Sequence, residues 1–217
     1  LGSDPRKQNL MWGTTTIGLT CQDGVLFATD TRVVQGMRFI AHKKGKKIYK
    51  LDDHIAMTIA GTVADAQALV DVLRYQARIF RLERGYRIPV RSIVSLASIF
   101  LFRSRLFPMS VQALIAGMDS QGPELHQVDP LGGTTKEEFI STGSGSPLAL
   151  GFLEASLKKP IKVKEAIPLA VQAILVAMSR DTATGDDFDL AIVDAKGYRE
   201  LSSEEKGKIA SRLKEGK

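Results

Sequence analysis

Cysteine is nearly absent: Cys21 is the single one in 217 residues. An intrachain disulfide is therefore impossible, and a reducing compartment, the cytoplasm, is expected. Cys21 falls on the apolar side of an alternating stretch, where a thiol packs rather than reacts. Histidine is scarce as well, and His42, His54 and His126 are scattered. With one cysteine they offer no metal-ligand spacing, so neither a metal nor another cofactor is expected. None of the three has an evident serine or cysteine partner. Long apolar runs are missing: the strongest, Ile93–Phe102, is too short to span a bilayer and holds two serines. Residues 1–12 lack the apolar core of a secretory signal. Aromatics reach only 6%, although the net charge is +6. The basic residues cluster at Lys43, Lys44, Lys46 and Lys47, and again at Arg74, Arg78, Arg81, Arg84, Arg87 and Arg91. No nucleic-acid motif accompanies them, so they read as a turn and a solvated helix face. Neither nucleic acid nor membrane is expected as a partner.

What the chain does have is a globular composition, 44% hydrophobic and 25% charged, at a length that suits one domain. Thr14–Cys21 alternates, with Ile17, Leu19 and Cys21 on one face, and predicts a half-buried strand. Gln22-Asp23-Gly24 is a hairpin turn into a short apolar strand, Val25–Asp30. Further strands are expected at Arg38–His42, Ile48–Leu51 and Ile55–Ala60. From Thr62 the period becomes helical, with Ala66, Leu69, Val70, Leu73, Ala77 and Phe80 on one face and Gly85 as the stop. A second helix is expected over Val90–Arg105, with Ile93, Leu96, Ala97, Phe100 and Leu101 inward. Val111–Met118, Glu124–Val128 and Glu137–Ser141 return to strand. Helices follow at Pro147–Lys158 and Val163–Ser179, the latter with Ile167, Ala170, Val171, Ile174, Leu175 and Met178 on one stripe. Pro168 falls in its first turn, where proline is tolerated. A strand at Phe188–Val193 and a polar helix at Ser202–Leu213, capped by Ser202, complete the series. Strands and helices come in runs, which predicts an α+β arrangement of two mostly antiparallel sheets covered by helices on their outer faces.

Two short segments invite chemistry. Gly143-Ser144-Gly145-Ser146 lacks the lysine of a phosphate-binding loop and is a weak signal alone. Gly13-Thr14-Thr15-Thr16-Ile17-Gly18 by itself means no more than β-propensity. The set that follows changes its meaning: Ala28-Thr29-Asp30-Thr31-Arg32, Gly45-Lys46-Lys47-Ile48, Met57-Thr58-Ile59-Ala60-Gly61, Ser141-Thr142-Gly143-Ser144-Gly145-Ser146-Pro147 and Arg180-Asp181-Thr182-Ala183-Thr184-Gly185. In this order and near-matched spacing, from Gly13 to the end, the sequence resembles the proteasome β-subunit family, most closely its archaeal form. The resemblance implies a single domain over 14–217, a four-layer αββα sandwich of two antiparallel sheets in the manner of the N-terminal nucleophile hydrolases. It also implies a leader over 1–13, within which Gly2-Ser3 suits a cloning scar.

The resemblance further implies a threonine endopeptidase. Thr14 matches the nucleophile, exposed by self-cleavage between Gly13 and Thr14. Asp30 and Lys47 match its charged partners; Lys47 is chosen over Lys46 because it adjoins the apolar Ile48. Gly61 matches the oxyanion-hole glycine. Ser144, Asp181 and Thr184 match the group around the nucleophile's amine, and Thr184 departs from the usual serine by one methyl. Val33, Tyr49, Ile59 and Val63 match the primary specificity pocket. None is acidic, so cleavage after hydrophobic residues is expected, although Ile59 and Val63 would serve equally as core. A threonine hydroxyl needs a base, and an N-terminal threonine can use its own α-amine, whose pKa is about 7.7–8. With residues 1–13 attached that nitrogen is an amide, so the chain as it stands is expected to be an inactive precursor.

The partners implied are α-type subunits, sister β-type subunits in the heptameric rings of a twenty-eight-subunit core particle, a regulatory ATPase and unfolded protein substrates. Three alternatives stay open. One is a non-catalytic β-type scaffold, against which the intact set of Thr14, Asp30, Lys47 and Gly61 stands. Another is the peptidase of the bacterial two-ring ATP-dependent protease. The third is a basic RNA- or DNA-binding module, whose affinity would fall steeply with salt.

Overall fold

The computed structural model describes residues 13–35 and 39–215. Apart from Gly13, the expected leader lies outside them, as does Arg38 of the third expected strand. The first hairpin forms as its turn predicts. β1 (Thr16–Cys21) pairs with β2 (Gly24–Asp30) in a register running from Thr16 opposite Thr29 to Cys21 opposite Gly24. β10 (Phe139–Thr142) flanks β1, and β11 (Phe188–Asp194) flanks β2 and is followed by β12 (Gly197–Glu200). These five strands make the first sheet, in the order β10-β1-β2-β11-β12.

The second sheet runs in chain order: β5 (Ile48–Asp52), β6 (Ile55–Gly61), β7 (Val111–Asp119), β8 (Gly122–Val128) and β9 (Thr134–Glu137). Every pairing in both sheets is antiparallel. Helices α1 (Val63–Arg84) and α2 (Val90–Arg103) cover the second sheet, burying Leu69, Leu73, Ile93 and Ala97 against Met57 and Ile115. Helices α3 (Ser146–Ser156) and α4 (Val163–Arg180) cover the first, burying Ala170 and Ile174 against Ile17, Leu19 and Cys21. Between the sheets lies a third apolar layer that includes Phe27, Ile48, Leu114 and Leu125. The result is the four-layer αββα sandwich expected from the resemblance. Helix α5 (Ser203–Glu215) follows, capped reciprocally: Ser202 Oγ accepts from the Glu205 amide at 3.3 Å, and Glu205 accepts from the Ser202 amide at 2.8 Å. No helix among the described residues is long and apolar enough to cross a membrane.

Several expectations need correction. The strand predicted over 137–141 is the meeting of two. Glu137 pairs with Leu125 in the second sheet, whereas Phe139 pairs with Leu19 in the first. The chain changes sheets at Glu138, and apolar alternation cannot register which sheet a strand joins. A short β3 (Val33–Gln35), paired with β4 (Phe39–His42), and β12 escape a reading based on apolar pattern because both are short and partly exposed. Leu175 leaves the expected stripe of α4 and is 42% exposed.

Candidate active site

The register of the first sheet gathers the ends of its strands. Thr14 leads into β1, Asp30 closes β2, and Ser144 follows β10. Thr16 opposes both Thr29 and Thr142, and Phe188 opposes Asp30, so the loop 181–187 opens at the same end. From the second sheet, Lys47 leads into β5 and Gly61 closes β6.

Asp30 is fully buried and takes hydrogen bonds from five donors. Its Oδ1 accepts from Thr14 Oγ1 at 2.9 Å, the Thr15 amide at 2.9 Å and Lys47 Nζ at 2.5 Å. Its Oδ2 accepts from the amides of Arg32 and Gly185, each at 3.1 Å. A carboxylate so surrounded has its hydrogen-bonding capacity met by protein donors. Lys47 is buried beside it. Burial pushes its ammonium below the usual lysine range, while the charge and hydrogen bond of Asp30 pull the other way. Lys46 turns outward to Glu200 at 2.6 Å, so the structure brings Lys47, not its neighbour, to Asp30.

A second network meets the Thr14 nitrogen. The Thr14 amide donates to Ser144 Oγ at 3.3 Å, and Ser144 Oγ donates to Asp181 Oδ2 at 2.5 Å. Thr184 Oγ1 donates to the same carboxylate oxygen at 2.5 Å and lies 2.7 Å from Thr15 Oγ1. The glycines flanking Ser144 let this segment lie flush against Thr14 and Thr15. A Cβ on Gly143 would stand 2.1 Å from the Thr14 carbonyl oxygen, and one on Gly145 would stand 2.2 Å from Thr15 Oγ1. Gly13 is similarly confined, since a Cβ there would fall 1.6 Å from that of Ala183. Gly61 has φ of +147°, and a Cβ would fall 1.9 Å from the Ser110 carbonyl oxygen.

Thr14 and Gly61 share the wall of one cleft with Val33, Tyr49, Ile59 and Val63, the four residues matched to a specificity pocket. Ile59 serves both purposes, being 5% exposed and part of the core beneath α1. Val63, at 46% exposure, is not core.

Residues 11–193 match the family described as Proteasome subunit. The chain belongs to the proteasome subunit family. Within it, the likeness is to archaeal β subunits. The chain is 45% identical to proteasome subunit beta of Methanothermobacter thermautotrophicus, over 91% of this chain and 94% of that one. It is 46% identical to that of Methanocaldococcus vulcanius, over 92% and 90% respectively. It is 43% identical to that of Ferroglobus placidus, over 93% and 96%.

In this proteasome β-type subunit one residue matters more than its motif suggested. Arg32 Nε donates to Asp186 at 2.9 Å and Nη1 to the Thr182 carbonyl at 2.8 Å, so its guanidinium ties down the loop that carries Asp181 and Thr184. Asp186 is held there at φ +69°, a left-handed conformation. Arg32 and Asp186 stand 154 residues apart, so no local pattern reveals the pair. Two histidines belong elsewhere: His54 Nε2 meets the Ile88 carbonyl at 2.8 Å, and His126 lies 3.4 Å from Glu124. Cys21 is buried in the outer core of the first sheet, and burial pushes its thiol up to about 12. Among the described residues no group of three or more His, Cys, Asp or Glu side chains is arranged to hold a metal ion.

Proposed function

We propose that this β-type subunit is a threonine endopeptidase with Thr14 as nucleophile, made as an inactive precursor whose leader is residues 1–13. It works in the cytoplasm, in heptameric rings with sister β-type and with α-type subunits, on unfolded chains delivered by a regulatory ATPase. The observation that carries the reading is the 2.9 Å hydrogen bond from Thr14 Oγ1 to Asp30 Oδ1, on the same oxygen that Lys47 holds. A hydroxyl already donating to a buried carboxylate has its proton aimed at an acceptor and its lone pairs free for attack.

In the precursor, Thr14 Oγ attacks the Gly13 carbonyl carbon and its proton passes to the Asp30–Lys47 pair. The Gly13–Thr14 C–N bond breaks, the nitrogen takes up a proton, and the leader is left as an ester on Oγ. Water then hydrolyses the ester and releases residues 1–13. The freed α-amine stays among Ser144, Asp181 and Thr184, and its unperturbed pKa of about 8 suits a general base near neutral pH. In turnover it takes the Thr14 proton as Oγ attacks a peptide carbonyl and gives it to the leaving amine as the C–N bond breaks. Water, losing a proton to the Thr14 α-amine, then hydrolyses the acyl ester, and that proton returns to Oγ. The Gly61 amide would donate to the oxyanion, a contribution of about 3–4 kcal/mol for one such donor. The apolar and aromatic wall of the cleft favours cleavage after hydrophobic residues.

The test is the intact mass of the chain before and after mixing with its α-type partners. Loss of residues 1–13 is expected, with peptide hydrolysis appearing alongside, and Thr14→Ala should block both. Retention of the leader in fully assembled rings would instead make this a non-catalytic scaffold subunit.

A further inference from the structure

Three threonines outside the nucleophile's own hydrogen bonds form a buried chain of hydroxyls. Thr58 Oγ1 on β6 donates to Thr16 Oγ1 on β1 at 3.0 Å, and Thr16 Oγ1 lies 2.8 Å from Thr142 Oγ1 on β10. Thr16 and Thr58 are fully buried and Thr142 nearly so. Their positions follow a pattern. Thr16 lies two residues after Thr14, Thr142 two before Ser144, and Thr58 three before Gly61. At about 3.3 Å per strand residue, each hydroxyl stands roughly 7–10 Å along its strand from a residue assigned to the site.

We propose that Thr16, Thr58 and Thr142 are positioning residues that set where the nucleophile's strand stands relative to the strand ending at Gly61. The inference rests on the peptidase reading above. The two sheets otherwise meet here through apolar contacts of Ala56, Leu114 and Leu125, which are non-directional and tolerate sliding. The Lys47–Asp30 ion pair ties the sheets at the cleft, and their edges are tied by the Tyr198 amide on the Asp53 carbonyl at 2.6 Å, by Lys46 on Glu200 at 2.6 Å and by Thr20 Oγ1 on the Glu137 carbonyl at 3.4 Å. The Thr58–Thr16 bond instead joins β6 to β1, side chain to side chain, deeper in the sandwich. It shares a strand ladder with the cleft tie, because the Ile59 amide donates to the Lys47 carbonyl at 3.2 Å. Thr142 extends the hold to β10 and so to Ser144. Thr29 supplies a contrast. It opposes Thr16 on the same face of the sheet, is fully buried, and its hydroxyl has no partner among the described residues.

The test uses the full chain assembled with its α-type partners, following leader release by mass and hydrolysis of a hydrophobic peptide. Thr58→Val keeps the shape and removes the sheet-to-sheet bond. It should slow leader release and lower kcat by about tenfold or more with KM within about twofold, as expected when reacting groups are misplaced by a fraction of an ångström. Thr58→Ser, which keeps the hydroxyl, should restore both. Thr29→Val, which removes a hydroxyl that bonds nothing, should leave kcat unchanged. Should Thr58→Val not assemble, Thr142→Val decides: it detaches only β10, and a wild-type kcat there overturns the proposal. The proposal is also overturned by a wild-type kcat in Thr58→Val, by an equal loss in Thr29→Val, or by failure of the serine to rescue. Leader release and hydrolysis persisting in Thr14→Ala would sink the peptidase reading itself. An inert Thr14→Ala beside a fully active Thr58→Val would sink this inference alone.

Discussion

The hydroxyl of Thr14 and the carboxylate of Asp30 meet at 2.9 Å, on an oxygen that also receives Lys47 at 2.5 Å. They are sixteen residues apart, and the β1–β2 hairpin alone closes that distance, since the Asp30 amide bonds the Thr15 carbonyl at 3.1 Å. Lys47 arrives from the other sheet. The cleft is thus assembled where the two sheets approach, and its Asp30–Lys47 pair is nearly as buried as the core.

Asp30→Asn keeps the shape and removes the charge. The asparagine must turn its NH₂ toward donors at one oxygen or the other. Stability should fall by about 3 kcal/mol, the low end for a broken buried pair, because Lys47 can shed its proton. Leader release and peptide hydrolysis should fall by about 100-fold or more, the span of a lost proton acceptor. Chemical denaturation and intact mass measure the two effects, and near-wild-type release would exclude Asp30 from the reaction.

Lys47 and Lys46 should part company. Lys47→Met should lower hydrolysis by about 100-fold, and Lys46→Met should leave it near wild type. Stability separates them too. Burial lowers the folded-state pKa of Lys47, so near and above that pKa the native state binds fewer protons than the unfolded one. Stability contributed through Lys47 therefore rises with pH toward the unfolded value of about 10.4. That slope should vanish in Lys47→Met and persist in Lys46→Met, measured by denaturation as pH is raised toward about 10.4. Equal slopes in both variants would contradict the assignment.

Gly13 and Ala183 make a reciprocal pair. Gly13→Ala places a methyl 1.6 Å from the Ala183 Cβ, so one backbone must move. Leader release should slow by about tenfold or more as the scissile carbonyl shifts. Adding Ala183→Gly should recover only part of the rate, because the new methyl would still stand 2.8 Å from the Cα of residue 183. A double variant no faster than Gly13→Ala would mean that the clash between the two Cβ atoms is not what slows release.

Glu124 is a stabilising charge away from the cleft. It is buried and takes hydrogen bonds from Arg91 at 2.7 Å, Lys136 at 2.6 Å and His126 at 3.4 Å. The Arg91 hydrogen bonds foremost, and Lys136 after them, hold its carboxyl at about 2 against the opposing effect of burial. A depressed carboxyl stabilises the fold above its unfolded value of about 4.3 and loses that contribution as pH falls toward 2. Glu124→Gln should cost about 1–2 kcal/mol at neutral pH, less than a fully buried pair because Arg91 and Lys136 are half exposed. The gap between variant and wild type should close as pH drops from 5 toward 2, and a constant gap would assign the loss to packing.

Much of the scaffold was legible because its signals are local. The period change after Thr62, Gly85 at the end of α1 and Ser202 before α5 each act within a few residues. The split at Glu138 was not legible: both halves alternate alike, and only their partners differ. Leu175 continues the apolar stripe of α4 in sequence yet stays exposed, because helical spacing fixes a direction and not what covers it. The candidate site was legible only through motifs taken together, and the grip of Arg32 on Asp186 had no sequence signal at all.

By itself the sequence determined which residues could form strands and helices, and that no intrachain disulfide could brace them. These follow from backbone propensity, side-chain period and composition, which act over a few residues. Tertiary structure alone decided that Thr14, Asp30, Lys47, Ser144 and Gly61 share one end of the sandwich, that Glu138 crosses between sheets, and that Thr58 reaches Thr16. Such contacts join residues tens of positions apart. They depend on strand register and on the packing of two sheets face to face, which no local pattern encodes.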